Sequence, residues 1–446
     1  MTDRVRRAAA FALVGTLALA VPTLGGVQEP AYATVAATGP FLAVAAAALT
    51  VDPDSRAFEL FARPGDRRDG KLYGLAGFAL AAAGLSILTV AFGMPGYVYV
   101  ATVLLVAYGN LGGQLVRQQG GERVLVTAGF VTGGFLAASA GQLVATWALG
   151  AMAPLPVVAF LAASGALLGA LLREVLFRRD DPLVMAVVAI LLWLLATLPV
   201  EITTARIAVA LAVTVALGYV SYALETASVA GMVTGILLGL LTVVLGDYGW
   251  FAMLLAFFGI GGLAAKYRYE DKRARGIAED NEGARGTGNV LANSLVALLA
   301  VLGAAASPGL GLGPGAFLFA FAGAVSAALA DTLSSELGGL FDHPRLITSL
   351  EEVDPGTDGA VTWQGELAGI AGAVVVAAIA LAWFGNVEAA GAGVIVAAGV
   401  AGMTVDSLLG ATVEGWLFGN QGVNFVATLV AALVGAGLAA ALGLTV

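Results

Sequence analysis

The chain has 446 residues, of which 59% are hydrophobic and only 11% are charged; soluble domains carry about 25% charged residues, so an ordinary soluble protein is excluded. Cysteine is absent, which excludes disulfides, thiolate catalysis and cysteine-bound metals, and the single histidine, His343, excludes a multi-histidine metal site. Acidic residues outnumber basic ones by 30 to 21, and such acidic, lysine-poor loops favour an archaeal halophile as the host.

Apolar segments long enough to cross a hydrocarbon core of about 30 Å recur along the whole chain. They predict an all-α fold, a polytopic integral membrane helical bundle with about 13–15 transmembrane helices. The 61 glycines predict close helix packing through small residues. The predicted spans are 8–24, 34–51, 72–92, 97–115, 124–149, 156–172, 183–200, 207–222, 229–246, 249–265, 289–306, 316–333, 366–384, 390–409 and 424–445.

The distribution of basic residues predicts the orientation in the membrane. With the N-terminus in the cytoplasm, every lysine and arginine except Arg206 falls on the cytoplasmic side, as the positive-inside rule demands. The basic start of the chain, its short apolar body and the sequence AYA at 31–33 also fit a cleaved signal peptide. We expect a multi-pass protein of the cell membrane, with the lipid bilayer as its partner and no nucleic-acid partner.

Two domains are expected, because polar groups in the spans are concentrated in the second half of the chain. Residues 1–205 form an N-terminal membrane domain of unknown role, and residues 206–446 form a second transmembrane domain. The second domain contains the longest loops.

A basic loop over residues 266–289 precedes one of the predicted helices. It contains Lys266, Lys272 and Arg273, and it ends in a glycine-rich turn formed by Gly283, Arg285, Gly286 and Gly288. Glycines before a helix let backbone N–H groups converge on an anion at the positive helix end. A flexible turn beside a positive-inside anchor is the alternative.

Amide side chains follow this turn. Asn289 and Asn293 are four residues apart, so they share one face of a helix. In that position they can hydrogen-bond a phosphate or a neighbouring membrane helix.

Carboxylates occur at two similar helix ends. Asp331, Thr332 and Leu333 are matched by Asp406, Ser407 and Leu408, and Glu336 follows the first set. In the predicted topology both aspartates reach the cytoplasmic face that holds the basic loop. Carboxylates beside a basic anion turn suit Mg²⁺ and a polyphosphate, since hard oxygen ligands hold Mg²⁺ and the metal bridges phosphate oxygens. A helix end that simply emerges into water is the alternative for Asp331.

Several motifs of the second domain resemble a membrane family known as domain of unknown function ninety-two, or the transmembrane protein nineteen family. The resemblance covers roughly residues 210–446 and rests on the segments KYRYEDKRARGIAEDNEGARGTGNVLAN, ADTLSSELG, PRLIT, VDPGTDGAVTWQGELAG and DSLLGA. That family includes the plant phytyl-phosphate kinase, which implies nucleotide-dependent conversion of an isoprenyl monophosphate into its diphosphate. The positions that match family motifs are Lys266, Glu270, Arg285, Asn289, Asn293, Asp331, Glu336, Arg345 and Asp406.

The sequence therefore predicts an isoprenyl-phosphate kinase that uses Mg²⁺ and a nucleoside triphosphate. Asp331, Glu336 and Asp406 are the expected metal ligands, with Asn289 and Asn293 orienting the acceptor phosphate. The expected nucleotide-binding residues are Lys266, Lys272, Arg273, Gly283, Arg285, Gly286, Gly288 and Arg345. An ion-coupled transporter or lipid flippase that binds its cation at Asp331 and Asp406 is the alternative, and the oligomeric state stays open.

Overall fold

A computed structural model describes residues 2–23, 29–175, 181–224, 228–278 and 287–445. The chain divides into two compact units, Met1–Leu198 with Ile202–Ile207, and Pro199–Glu201 with Ala208–Val446. In the described residues, eighteen α-helices account for nearly all the regular structure, and one two-stranded sheet accompanies them.

The first unit contains nine helices within its described residues. Their bounds are α1 Asp3–Gly15, α2 Pro30–Thr50, α3 Arg56–Phe61, α4 Pro64–Asp69, α5 Tyr73–Phe92, α6 Gly96–Gln118, α7 Arg123–Ala148, α8 Leu155–Val175 and α9 Asp181–Thr197. The start of α9 is held by charge: Asp181 is 5% exposed, and its carboxylate accepts from Arg63 at 2.5 Å and Arg173 at 2.8 Å.

The second unit contains the remaining helices and the sheet. Their bounds are α10 Thr204–Ala223, α11 Val229–Leu245, α12 Tyr248–Lys266, α13 Tyr269–Ala274, α14 Thr287–Ala306, α15 Gly315–Gly338, β1 Arg345–Leu346, β2 Ala360–Val361, α16 Trp363–Trp383, α17 Ala389–Thr412 and α18 Asn420–Ala441. The strands β1 and β2 pair antiparallel, with Arg345 opposite Val361.

Side-chain caps fix where three helices of the second unit begin. Ser228 Oγ accepts from Gly231 N at 3.1 Å before α11, and Asp247 Oδ1 accepts from Gly249 N at 2.7 Å before α12. Thr362 Oγ1 accepts from Gly365 N at 3.1 Å before α16. Each cap satisfies a backbone N–H that has no partner within the helix.

The predicted fold class is confirmed. Within the described residues, twelve helices are long and apolar enough to cross a membrane, and two shorter apolar helices, Asp181–Thr197 and Val229–Leu245, accompany them. The predicted first span at 8–24 differs, because α1 ends at Gly15 and a 3-10 turn, Thr16–Ala20, follows it. Pro22 lies just beyond that turn and has no backbone N–H to donate to a helix.

Helix α15 is the centre of the second unit. Over its most apolar window 78% of the residues are buried, and α12, α14, α16, α17 and α18 all pack against it. The ends of α12, α15 and α17 and the starts of α14, α16 and α18 lie on one side of the unit, which we call the polar face.

Candidate functional site

Asp331 lies inside α15 rather than at its end. The predicted span stops at residue 333, but the helix continues to Gly338. The Ser335 hydroxyl donates to the Thr332 carbonyl at 3.2 Å, so a polar side chain is accommodated by the backbone of the helix itself. At 1.5 Å per residue, Asp331 lies about 10 Å before the helix end.

Helices α15 and α17 run in the same direction and touch through small residues. A Cβ atom added at Gly402 would collide with Ala327, and one added at Gly399 would collide with Ser326. Membrane helices approach this closely only where side chains are small. The backbone of α17 is therefore in contact with small side chains of α15 just before the two aspartates.

Asp331 and Asp406 meet one helical turn after this contact, and their carboxyl groups lie close enough to interact directly. The second carboxyl oxygen of Asp406, Oδ2, is buried and has no hydrogen-bond partner in the part of the chain that the structure describes. Two carboxylates in contact repel each other unless a proton or a cation lies between them. This carboxylate pair therefore requires a proton or a cation.

Helix α18 brings an amide to the same level. A Cβ atom at Gly402 would lie 2.9 Å from Ala431 Cβ and 3.1 Å from the Ala427 carbonyl oxygen. Helices α17 and α18 are antiparallel, so Asp406, one turn after Gly402, and Asn424, one turn before Ala427, lie at the same depth along their common seam. Asn424 is only 6% exposed.

Asn424 belongs to a sequence pattern that occurs twice. Glycine followed by Asn-x-x-x-Asn lies at the start of α14, over 288–293, and again at the start of α18, over 419–424. The second amide donates to the first residue in both copies, from Asn293 Nδ2 to Asn289 O at 3.0 Å and from Asn424 Nδ2 to Asn420 Oδ1 at 3.1 Å.

The two copies are also in contact, because a Cβ atom added at Gly288 would collide with the Gln421 side chain. Asn289 and Asn293 were predicted from the sequence, whereas Asn420 and Asn424 were not. The repeat itself is the signal that could have found them.

Lys272 and Glu336, predicted as a nucleotide ligand and a metal ligand, contact each other. Lys272 is 1% exposed, and its Nζ donates to Glu336 Oε2 at 2.5 Å and to the carbonyls of Ala264 and Ala265 at 2.7 and 3.1 Å. Glu336 follows Asp331 by five residues, which rotates it about 140° around the helix. The ligand roles of Lys272 and Glu336 stay predictions. In the described structure, the bonds of Lys272 link the end of α12 to the end of α15.

In the described ranges, no three Asp, Glu or His side chains lie close enough together to hold one metal ion. The structure thus brings together Asp331 and Asp406 but does not add Glu336 to them. Mg²⁺ in proteins is commonly held by one or two carboxylates, with water and phosphate oxygens completing its shell. A carboxylate pair with one unpartnered buried oxygen fits that pattern.

Of the remaining predicted nucleotide-binding residues, those that the structure describes lie around the polar face. Lys266 ends α12 and donates from Nζ to the Leu224 carbonyl at 2.6 Å, Arg273 is exposed on α13, and Gly288 lies in the first turn of α14. Gly283, Arg285 and Gly286 lie outside the described residues.

The segment from His343 to Thr362 covers the end of α17. Arg345 is exposed and donates to the Leu350 carbonyl at 2.7 Å. Gly359 has φ +75°, and a Cβ atom there would lie 2.5 Å from the Ser407 carbonyl oxygen, so the segment fits against α17 only with glycine at this position. Glu414 lies just beyond the end of α17. The pKa of its carboxyl is raised mainly by burial and also by the negative charge of Asp358.

Comparison with known proteins places the second unit in one family. Residues 212–432 match the family described as Integral membrane protein DUF92. An uncharacterized membrane protein of Methanocaldococcus jannaschii is 35% identical over 207 residues, which cover 46% of this chain and 82% of that protein. No solved structure matches the chain.

Two further relatives come from Synechocystis and Arabidopsis thaliana. An uncharacterized membrane protein of Synechocystis is 34% identical over 211 residues, covering 43% of this chain and 75% of the relative. Protein VTE6, chloroplastic, of Arabidopsis thaliana is 31% identical over 212 residues, covering 45% of this chain and 61% of that protein.

Proposed function

The chain belongs to the family Integral membrane protein DUF92, and on this premise we propose that it is an isoprenyl-phosphate kinase. It would convert a long-chain isoprenyl monophosphate, of the phytyl or geranylgeranyl type, into the diphosphate with a nucleoside triphosphate and Mg²⁺. The family's plant phytyl-phosphate kinase supports the reaction class. The observation that carries the proposal is the Asp331–Asp406 pair inside the matched region.

The reaction balances without covalent work by the protein. An oxygen of the isoprenyl monophosphate attacks the γ-phosphorus of the nucleotide, a new P–O bond forms, and the bond between the β–γ bridging oxygen and the γ-phosphorus breaks. The products are the isoprenyl diphosphate and the nucleoside diphosphate. Such transfers depend on positioning and on charge stabilisation, so the absence of cysteine is compatible with the chemistry.

The Mg²⁺ ion would be held by the buried Oδ2 of Asp406, which has no hydrogen-bond partner in the described structure, and by the neighbouring carboxylate of Asp331. When bound, the ion offsets the negative charge of the phosphates. The amides of Asn289, Asn293 and Asn424 would orient phosphate oxygens by donating hydrogen bonds. Their placement at helix starts adds the positive end of each helix dipole.

Cationic side chains on the polar face would bind the nucleotide. Lys266 and Arg273 lie at the end of α12 and on α13, and Arg345 lies on the covering segment. If the predicted orientation holds, this face is cytoplasmic, where nucleoside triphosphates are available.

The test uses purified protein in nanodiscs with phytyl or geranylgeranyl monophosphate, Mg²⁺ and each of the common nucleoside triphosphates in turn. Mass spectrometry should detect the diphosphate with at least one nucleotide. Asp331→Asn and Asp406→Asn should each abolish it, whereas Asp354→Asn, on the exposed part of the covering segment, should keep wild-type activity. No diphosphate with any nucleotide, or full activity in Asp331→Asn, would contradict the proposal.

A second candidate function is ion-coupled transport or lipid flipping. It is favoured by the same pair, because two carboxyls in contact within membrane-spanning helices can bind and release a coupling cation. Proteoliposomes would then show cation-dependent movement of an isoprenyl lipid without nucleotide. Asp406→Asn would abolish that movement, and no diphosphate would form.

A further inference from the structure

An apolar cavity of about 300 Å³ lies between α10, α11 and α12 in the second unit. This volume is at the lower end of the range for pockets that bind small molecules. Its walls are formed mainly by aliphatic and aromatic side chains, and the hydroxyl of Thr214, one of its few polar groups, donates to the Ala210 carbonyl at 2.6 Å. The walls are therefore suited to a hydrocarbon.

The cavity is elongated along the helices. Its lining on α12 runs from Phe251 to Leu263, a distance of about 18 Å along the helix axis. Val220, Leu224 and Leu263 on its rim are exposed side chains. The cavity is thus a groove with a lateral opening, which suits a molecule that enters from the membrane.

One end of the groove reaches the polar face. Leu224 and Val290 line that end, the Leu224 carbonyl accepts from Lys266 Nζ at 2.6 Å, and Val290 directly follows Asn289. The other end, at Thr214 and Phe251, is apolar. A ligand that matches this polarity has a hydrocarbon chain and an anionic head beside the lysine and the amide.

Three glycines keep the groove open. A Cβ atom added at Gly235, Gly259 or Gly262 would have no neighbour within 4 Å in the described structure. Glycine inside a helix lowers its stability by about 1 kcal/mol relative to alanine. At Gly402 the missing side chain permits the close contact of α17 with α15. At these three positions no close helix contact requires glycine, and its effect is to leave space.

From this geometry we infer that the groove binds the isoprenyl chain of the phosphorylated substrate, with its phosphate at the Asn289 end, next to Lys266 and the nucleotide that Lys266 would bind. The inference rests on the proposed function for the chemistry of the head group. It adds a location for the isoprenyl chain. It also identifies what limits the length of a bound isoprenyl chain, namely the space that the glycines leave on α11 and α12.

Gly259→Leu tests the inference, because it fills the middle of the groove. Gly437→Leu is the matched control, since Gly437 is exposed and has open space at its Cβ position, as Gly259 does, but does not line the groove. Phosphorylation of geranyl, farnesyl and geranylgeranyl monophosphate is compared. Gly259→Leu should raise KM for the geranylgeranyl substrate about tenfold or more relative to the geranyl substrate, as changes in apolar pockets do, while Gly437→Leu should leave the ratio unchanged.

An equal change for all three substrates, or no change, would overturn the inference and leave the kinase proposal standing. Gel filtration checks folding, and Gly235→Leu fills the groove from the facing helix if Gly259→Leu does not fold. The same shift in chain-length preference is expected from Gly235→Leu.

A binding measurement separates this inference from the proposed reaction. Geranylgeranyl monophosphate with a diazirine at its tail is photolysed with the protein in the absence of nucleotide. Labelled peptides should map to α11 and α12, and Gly259→Leu should lose them. This result without any kinase activity would keep the groove and reject the reaction. Labelling elsewhere, or labelling displaced equally well by a phospholipid, would reject the groove as a substrate site.

Discussion

The buried Lys272–Glu336 ion pair gives a prediction whose magnitude follows from its surroundings. Lys272 is 1% exposed and its ammonium contacts three oxygens, while the Glu336 side chain is 11% exposed. Glu336→Gln keeps the shape and one acceptor but removes the opposite charge. Leaving a buried charge without its partner costs 3–5 kcal/mol in typical cases, so we expect destabilisation of about 3 kcal/mol.

The double variant Lys272→Met with Glu336→Leu should be less destabilised than Glu336→Gln. It removes both charges and forfeits mainly the two bonds to the Ala264 and Ala265 carbonyls, each worth about 1 kcal/mol. We therefore expect a loss of about 2 kcal/mol and a strong non-additive coupling between the two positions.

The assay is reversible unfolding in mixed micelles, followed by tryptophan fluorescence and circular dichroism. The Arg275–Asp342 pair, with side chains 30% and 74% exposed, is the matched control, and removing it should change stability by less than about 1 kcal/mol. Additive losses at Lys272 and Glu336, or a neutral Glu336→Gln, would refute the reasoning. If the double variant also binds Mg²⁺ and nucleotide normally, both residues are structural rather than ligands.

Three other predictions concern the site and its cover. Gly402→Val should destabilise the second unit by 1–3 kcal/mol or more in the same unfolding assay, because its side chain would enter the contact of α17 with α15 and α18. Asn424→Ala should lower the rate of diphosphate formation at least tenfold with little change in unfolding, whereas Asn386→Ala, at an exposed position, should change neither. The hydrogen bond from His343 to Glu352 raises the pKa of the histidine. The stabilisation from this bond should therefore be complete below the ordinary histidine pKa and disappear as the pH rises through the raised value. NMR titration of this single histidine should show the raised pKa, and Glu352→Gln should lower it.

Hydropathy and spacing were enough to predict the all-α membrane fold and the similarity of the two aspartate-containing helices. The position of Asp331 two turns inside α15 was not predictable, because the polar residues after it continue the helix, with the Ser335 hydroxyl donating to the Thr332 carbonyl. The pairing of Glu336 with Lys272 was also missed, since it depends on how α13 folds back beneath α12.

The amides of α18 were overlooked for a different reason. Asn420 and Asn424 follow a short connection after α17 and precede an apolar helix, where polar residues are usual at a helix start. Only their resemblance to Asn289 and Asn293 distinguishes them from ordinary capping residues. A search for repeated polar spacings would therefore have found more of the site than a search for charges.

The glycine contacts of α15 with α17 have a consequence for how the site works. The separation of α15 and α17 is set by small α15 side chains packed against the glycine backbone of α17, so the backbones that carry the two carboxyls are held at a fixed distance. The carboxylate pair is thus preorganised, and cation binding there would involve little reorganisation of the helices. Opening and closing during a catalytic cycle would then fall to the segment from His343 to Thr362, which covers the end of α17.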